Sequence, residues 1–120
     1  MKARLAVASV LALVLASSWA VAQTVPGNPK KGEAIYQKNC LRCHGQSGDG
    51  LGPDARDLIV APANFHTMKS RSKTDMEMLI IISHGIIFSP MHAWRDRLAD
   101  QDIVDVLSYI RSLAPFNPST

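Results

Sequence analysis

Cysteine is nearly absent: two of the 120 residues carry a thiol, and no second pair accompanies them. That shortage excludes a multiply bridged disulfide framework and a four-cysteine zinc site. Aromatic residues make up only 6% of the chain, and beyond the N-terminal segment they are Tyr36, Phe65, Phe88, Trp94, Tyr109 and Phe116. So few bulky side chains cannot easily fill the core of a small domain, so a further group is expected inside it. Charge of one sign is also missing. Lys2 and Arg4 supply two of the three excess positive charges, and the remainder is nearly balanced. Neither a nucleic-acid footprint nor a strongly acidic surface results. Runs alternating apolar and polar residues are lacking too, which removes half-buried strands.

The first residues do have a pattern. In "MKARLAVASVLALVLASSWAVAQ", Lys2 and Arg4 precede a run of apolar and small residues that ends in Ala20-Val21-Ala22. Basic, apolar and small-residue regions in that order are expected to form a secretory signal peptide, 1–22, cut after Ala22. Residues 23–120 then form one exported, periplasmic domain with no membrane span. The competing reading is an uncleaved anchor, since Leu5 to Ala22 carry no charge.

Helical signals dominate the rest, and the expected class is all-α, with three to four main helices. Asn28 is placed to cap a helix over Pro29 to Asn39, with proline where its missing N–H costs nothing. Thr74-Asp75-Met76-Glu77 forms a capping box, and the helix it opens stops at Gly85. That helix is apolar on most sides and is expected to be buried. A last helix over Asp100 to Leu113 places Ile103, Val106, Leu107, Ile110 and Leu113 on one face. Between the first two helices, "HGQSGDGLGPDARDLIVAPANFHTMKSRSK" reads as loop, with one helical turn near Asp54 to Leu58. A loop of that length is expected to wrap a functional object.

The object is indicated by Cys40-Leu41-Arg42-Cys43-His44. A redox dithiol needs a strand and a βαβ scaffold, which the sequence does not provide. Structural zinc needs four ligands. A disulfide across two residues closes too short a loop to stabilise much. Cys-x-x-Cys-His is also the attachment signature of c-type haem, in which both thiols bond the vinyl groups and the histidine ligates the iron. This last reading uses all three residues.

With these residues in place, the sequence resembles a class I c-type cytochrome of the small carrier type, also found as oxidase- or dehydrogenase-associated modules. The resemblance rests on "CLRCHGQSGDGLGP", "LIVAPANF", "LIIISHGIIFSPMHAW" and "LADQDIVDVLSYIRSL", and covers nearly the whole chain after the leader. It implies the class I cytochrome c fold, loops wrapped around one covalent haem c, and a crossing of first and last helices at Gly32, Tyr36 and Tyr109. It also implies Met91 as the second axial ligand and the Pro53 carbonyl as the hydrogen-bond partner of His44. Of the other methionines, Met76 and Met78 read as core fillers, and Met68 lies in the long loop. His92 and Phe88 stand where the family commonly has proline and glycine, so His92 is a competitor for the iron. Leu58 and Phe65 are expected to line the haem, with Ile86 and Phe88 on the methionine side and Trp94 at a propionate. His66 and His84 are assigned no ligand role.

A haem closed on both sides by His44 and Met91 exchanges electrons and leaves no position for substrate. The implied function is that of a periplasmic single-electron carrier between redox protein partners, not an enzyme. The alternatives are a dedicated subunit of a dehydrogenase complex, and a haem enzyme or sensor with an open iron. Lys69, Arg71 and Lys73 offer a docking strip for an acidic redox partner.

Overall fold

The computed structural model describes residues 26–118, so the expected signal peptide and its cleavage site lie outside the described residues. Helix α1 spans Pro29–Asn39, α2 Leu41–His44, a 3₁₀ turn Ala55–Asp57, α3 Met68–Arg71, α4 Asp75–His84 and α5 Asp100–Leu113. There is no strand among the described residues, and no described helix is long and apolar enough to cross a membrane.

The ends of α1 and α4 are set by local chemistry. The Asn28 side chain accepts hydrogen bonds from the N–H groups of Lys30 and Lys31, ahead of the proline that opens α1. Thr74 accepts from the Glu77 N–H while the Glu77 carboxylate accepts from the Thr74 N–H at 2.7 Å, completing the capping box of α4. Two short helices escape the periodicity argument. One turn is too short for a repeat to show, so the sequence marks a helix neither at α2, beyond the expected end at Asn39, nor at α3, which reads as loop.

The core lies where α1 crosses α5 and where α4 leans on α5. Tyr36 is fully buried, and its ring meets Tyr109 with centroids 5.2 Å apart and planes tilted by 57°. Its hydroxyl donates to the Gly45 carbonyl at 2.7 Å, which ties α1 to the end of α2. Burial raises the Tyr36 pKa well above the ordinary phenol range. At the crossing, Gly32 is required because any Cβ there would strike the Asp105 carbonyl. The Asp105 carboxylate, buried on α5, accepts from the Asn28 N–H and from the Gln101 amide, both at 2.8 Å, with the Lys31 ammonium 3.3 Å away. The Asn28 N–H above all, then Gln101, hold its pKa below the ordinary carboxylate range.

Helix α4 departs from expectation. Met78 and Ile82 are buried, but Met76 and Ile80 are exposed. The helix packs on α5 along one side only, so its all-round apolarity does not translate into all-round burial. Met76 is therefore a surface residue, not a core filler. The N–H of Asn117 donates to the Arg71 carbonyl at 2.9 Å, bringing the C-terminal segment back over α3.

Candidate functional site

A cleft of about 400 Å³ opens beside the α4–α5 packing, a size suited to a cofactor. Cys40, Cys43 and His44 line it from one segment, and Met91 lines it from the loop after α4. Helix α2 makes no contact with α4, so the cleft stands between the two segments. Its walls are mainly apolar: Met78, Ile81 and Ile82 come from α4, and Val106 and Ile110 from α5.

The cysteine segment is held by its own short helix. The His44 N–H donates to the Cys40 carbonyl at 2.9 Å, closing one turn that carries both thiols and the imidazole. Arg42, between the thiols, points to the exposed side and clamps Asp54 with two bonds of 2.7 and 2.6 Å. The loop after the motif is thereby pinned to it. Burial pushes the Cys40 thiol up to about 12, with the neighbouring Cys43 adding to the rise. Reactive cysteines sit where a positive environment lowers the thiol pKa, so the burial of Cys40 gives the redox-dithiol reading no support.

His44 Nδ1 lies 3.2 Å from the Ala63 carbonyl oxygen. With that nitrogen donating, Nε2 keeps its lone pair for a metal. Burial lowers the His44 pKa, only partly opposed by the Ala63 carbonyl, and so favours the neutral ring that ligation requires. The Phe65 ring stacks on the imidazole, with centroids 4.8 Å apart and planes 16° from parallel.

The partner carbonyl is thus Ala63, and the expectation for Pro53 is corrected. The Asp54 N–H bonds the Arg42 carbonyl, turning the chain at Pro53 away from the imidazole, and Pro53 lines a separate shallow hollow. The loop returns past His44 only at Ala63, after travelling through the 3₁₀ turn. No local sequence signal marks a backbone acceptor that far away.

Met91 is positioned by the turn after α4. Gly85 has φ +71°, and a Cβ there would meet the backbone of Met91, His92 and Ala93. The Ile86 N–H donates to the Met91 carbonyl at 2.8 Å, and the Met91 N–H donates to Ser89 Oγ at 3.1 Å. Leu58, Phe65, Ile86 and Trp94 also line the cleft. Phe88 does not: its side chain is 99% exposed on the apex of the turn, and the expectation that it lines the haem is corrected. His92 lines the cleft beside Met91, its ring 4.5 Å from that of Trp94. Met68 lies outside it, half exposed, with its sulfur near the Asn117 amide.

Lys69 and Lys73 also reach the cleft, whereas no aspartate or glutamate does. Arg71, grouped with them as a docking strip, instead donates to the Pro115 carbonyl at 3.0 Å. Among the described residues no three His, Cys, Asp or Glu side chains converge on a common point. The donor set is therefore two thiols, one imidazole and one thioether around an apolar slot, with two ammonium groups and no carboxylate. Those residues fit a haem, whose flat apolar ring carries two carboxylates.

Residues 27–110 match the family described as cytochrome c oxidase, cbb3-type, subunit III. Among solved structures, a chain of the reducing HAO-like protein complex of Kuenenia stuttgartiensis is 28% identical, with a TM-score of 0.62 over 71% of this chain. The match spans 42% of that longer chain. No curated protein matches. The family match extends over most of the chain and includes the cleft and its cysteine motif, so the protein belongs to the cbb3-type subunit III family and is a c-type cytochrome of all-helical fold.

Proposed function

We propose that the protein is an exported single-electron carrier holding one haem c, bonded through Cys40 and Cys43 and ligated by His44 and Met91. The observation that carries this reading is that both cysteines, His44 and Met91 line one apolar cleft. When bound, the haem supplies reversible one-electron exchange, with a potential raised by a thioether ligand.

The chain's own residues do the positioning. The Ala63 carbonyl fixes the protonated nitrogen of His44, and Phe65 restrains the ring from the side. Ser89 and the Ile86–Met91 backbone bond hold the loop that presents the methionine. Met78, Ile82, Val106 and Ile110 line the slot with apolar surface and would exclude water from a haem held there. Lys69 and Lys73 line the same slot and would offset the haem carboxylates. The leader-like first residues support export to the periplasm.

A second reading, a permanently bound haem subunit, draws support from the solved relative, which is one chain of a protein complex. In either case His44 and Met91 would hold the iron and leave no position for a further ligand. Purified from a host with c-type maturation, the protein is expected to retain haem after denaturation and to begin at Gln23. Its ferric spectrum is expected to show a weak far-red sulfur-to-iron band, absent in Met91→Ala. Carbon monoxide binding by the reduced wild type would show an open iron and overturn the carrier reading.

A further inference from the structure

The turn Ile86–Ser89 is closed by the Ser89 N–H donating to the Ile86 carbonyl at 3.1 Å, so Ile87 and Phe88 are its central residues. Phe88 has φ +60° and is the only non-glycine residue with positive φ among the described residues. A positive φ at the third position alone belongs to a type II turn, where glycine or asparagine is expected and a bulky aromatic is strained. No packing inside the domain compensates, since Phe88 is 99% and Ile87 83% exposed. Strain of this kind persists where it serves a site.

The location is informative. Ile86 and Ser89 line the cleft, so the two exposed side chains stand at its mouth. At the base of the turn, Arg95 lies beside His84, and the Arg97 guanidinium lies 5.9 Å from the centroid of the Trp94 ring. Neither arginine has a carboxylate within ion-pair distance among the described residues. Asp96, between the two arginines, is the one acidic residue in that segment.

We propose that Phe88 and Ile87 are the anchor by which this domain seats into an apolar pocket, flanked by carboxylates, on the protein with which it exchanges electrons; the proposal rests on the carrier reading above. A buried aromatic inside a polar rim is the usual form of an interface hot spot. Two side chains on one tight turn offer too little apolar area to hold a membrane. A second copy would bring the same cations face to face, which disfavours a symmetric dimer.

The test begins with Phe88→p-benzoylphenylalanine in the full chain, haem-loaded, cross-linked by light in the native host. An adduct with a protein that carries a redox centre is expected. With that protein purified, Phe88→Gly is expected to weaken the complex by about tenfold or more and to slow electron exchange in proportion. Glycine suits the turn, so the haem spectrum and potential of the variant are expected to match the wild type. An adduct only with lipid, with a second copy, or with a protein lacking a redox centre overturns the proposal. So does no adduct, or Phe88→Gly binding within twofold of wild type. Exchange with ferricyanide reports separately on the carrier reading, because it needs no anchor; if wild type fails there, that reading fails first.

Discussion

Replacing Gly32 by alanine tests how tightly the helix crossing is set. A Cβ at Gly32 would overlap the Asp105 carbonyl oxygen, lie 2.5 Å from its carbon and touch Tyr109 Cβ at 3.0 Å. Carbon atoms in contact prefer about 3.5–4.0 Å, so α1 and α5 must part by roughly 1 Å. Overfilling a packed core costs about 1–3 kcal/mol, and a clash with main chain, which cannot rotate away, belongs at the upper end. Alanine's better helix propensity returns about 1 kcal/mol. The net loss is about 2 kcal/mol, or a fall in the thermal midpoint of about 8–16 °C for a domain of this size. The assay is a far-ultraviolet circular dichroism melt of the haem-loaded ferric protein. Ala34→Gly, at an exposed position of the same helix, is the control, with an expected loss of about 1 kcal/mol from propensity alone. If Gly32→Ala melts at or above wild type, propensity outweighs the crossing and the close-approach argument fails.

Acid is expected to remove the contribution of Asp105: a carboxyl held below its ordinary range stabilises the fold above the unfolded value and loses that effect as pH falls toward the folded one. The gap between the urea midpoints of wild type and Asp105→Asn at pH 7 should therefore narrow as pH falls below the ordinary carboxylate range; a constant gap would refute the assignment. Lys73→Gln removes a cation that lines the cleft and that stabilises the more negative reduced state over the oxidised one, so the potential is expected to fall by roughly tens of millivolts; redox titration showing no change or a rise would contradict the placement. Phe88→Gly, apart from its effect on partners, exchanges about 1–2 kcal/mol of left-handed strain for about 0.5–1 kcal/mol of glycine entropy. The free protein should melt at the same temperature or a few degrees higher, and a clear loss of stability would mean Phe88 is not strained.

The sequence is a reliable guide where a feature depends on neighbours along the chain. The capping box at Thr74, the Asn28 cap and the bounds of α1, α4 and α5 all arise within a few residues, and each is where its local chemistry puts it. The thiols and imidazole of Cys40, Cys43 and His44 share one short segment for the same reason. Their spacing is covalent information, carried by the chain itself.

Other features depend on how the chain returns to itself. The carbonyl facing His44 belongs to Ala63 and not Pro53, because the Arg42–Asp54 clamp turns the intervening loop before it comes back. Met76 and Ile80 are as apolar as Met78 and Ile82 yet stay in water, because α4 has a packed neighbour on one side only. Phe88 reads as a cleft residue from its place beside Met91, and only the turn geometry sends it outward. Sequence alone determined the attachment motif, the three long helices and the methionine to examine; tertiary structure decided which backbone atom orients the imidazole and which apolar side chains remain exposed, since long-range packing has no periodic signature along the chain.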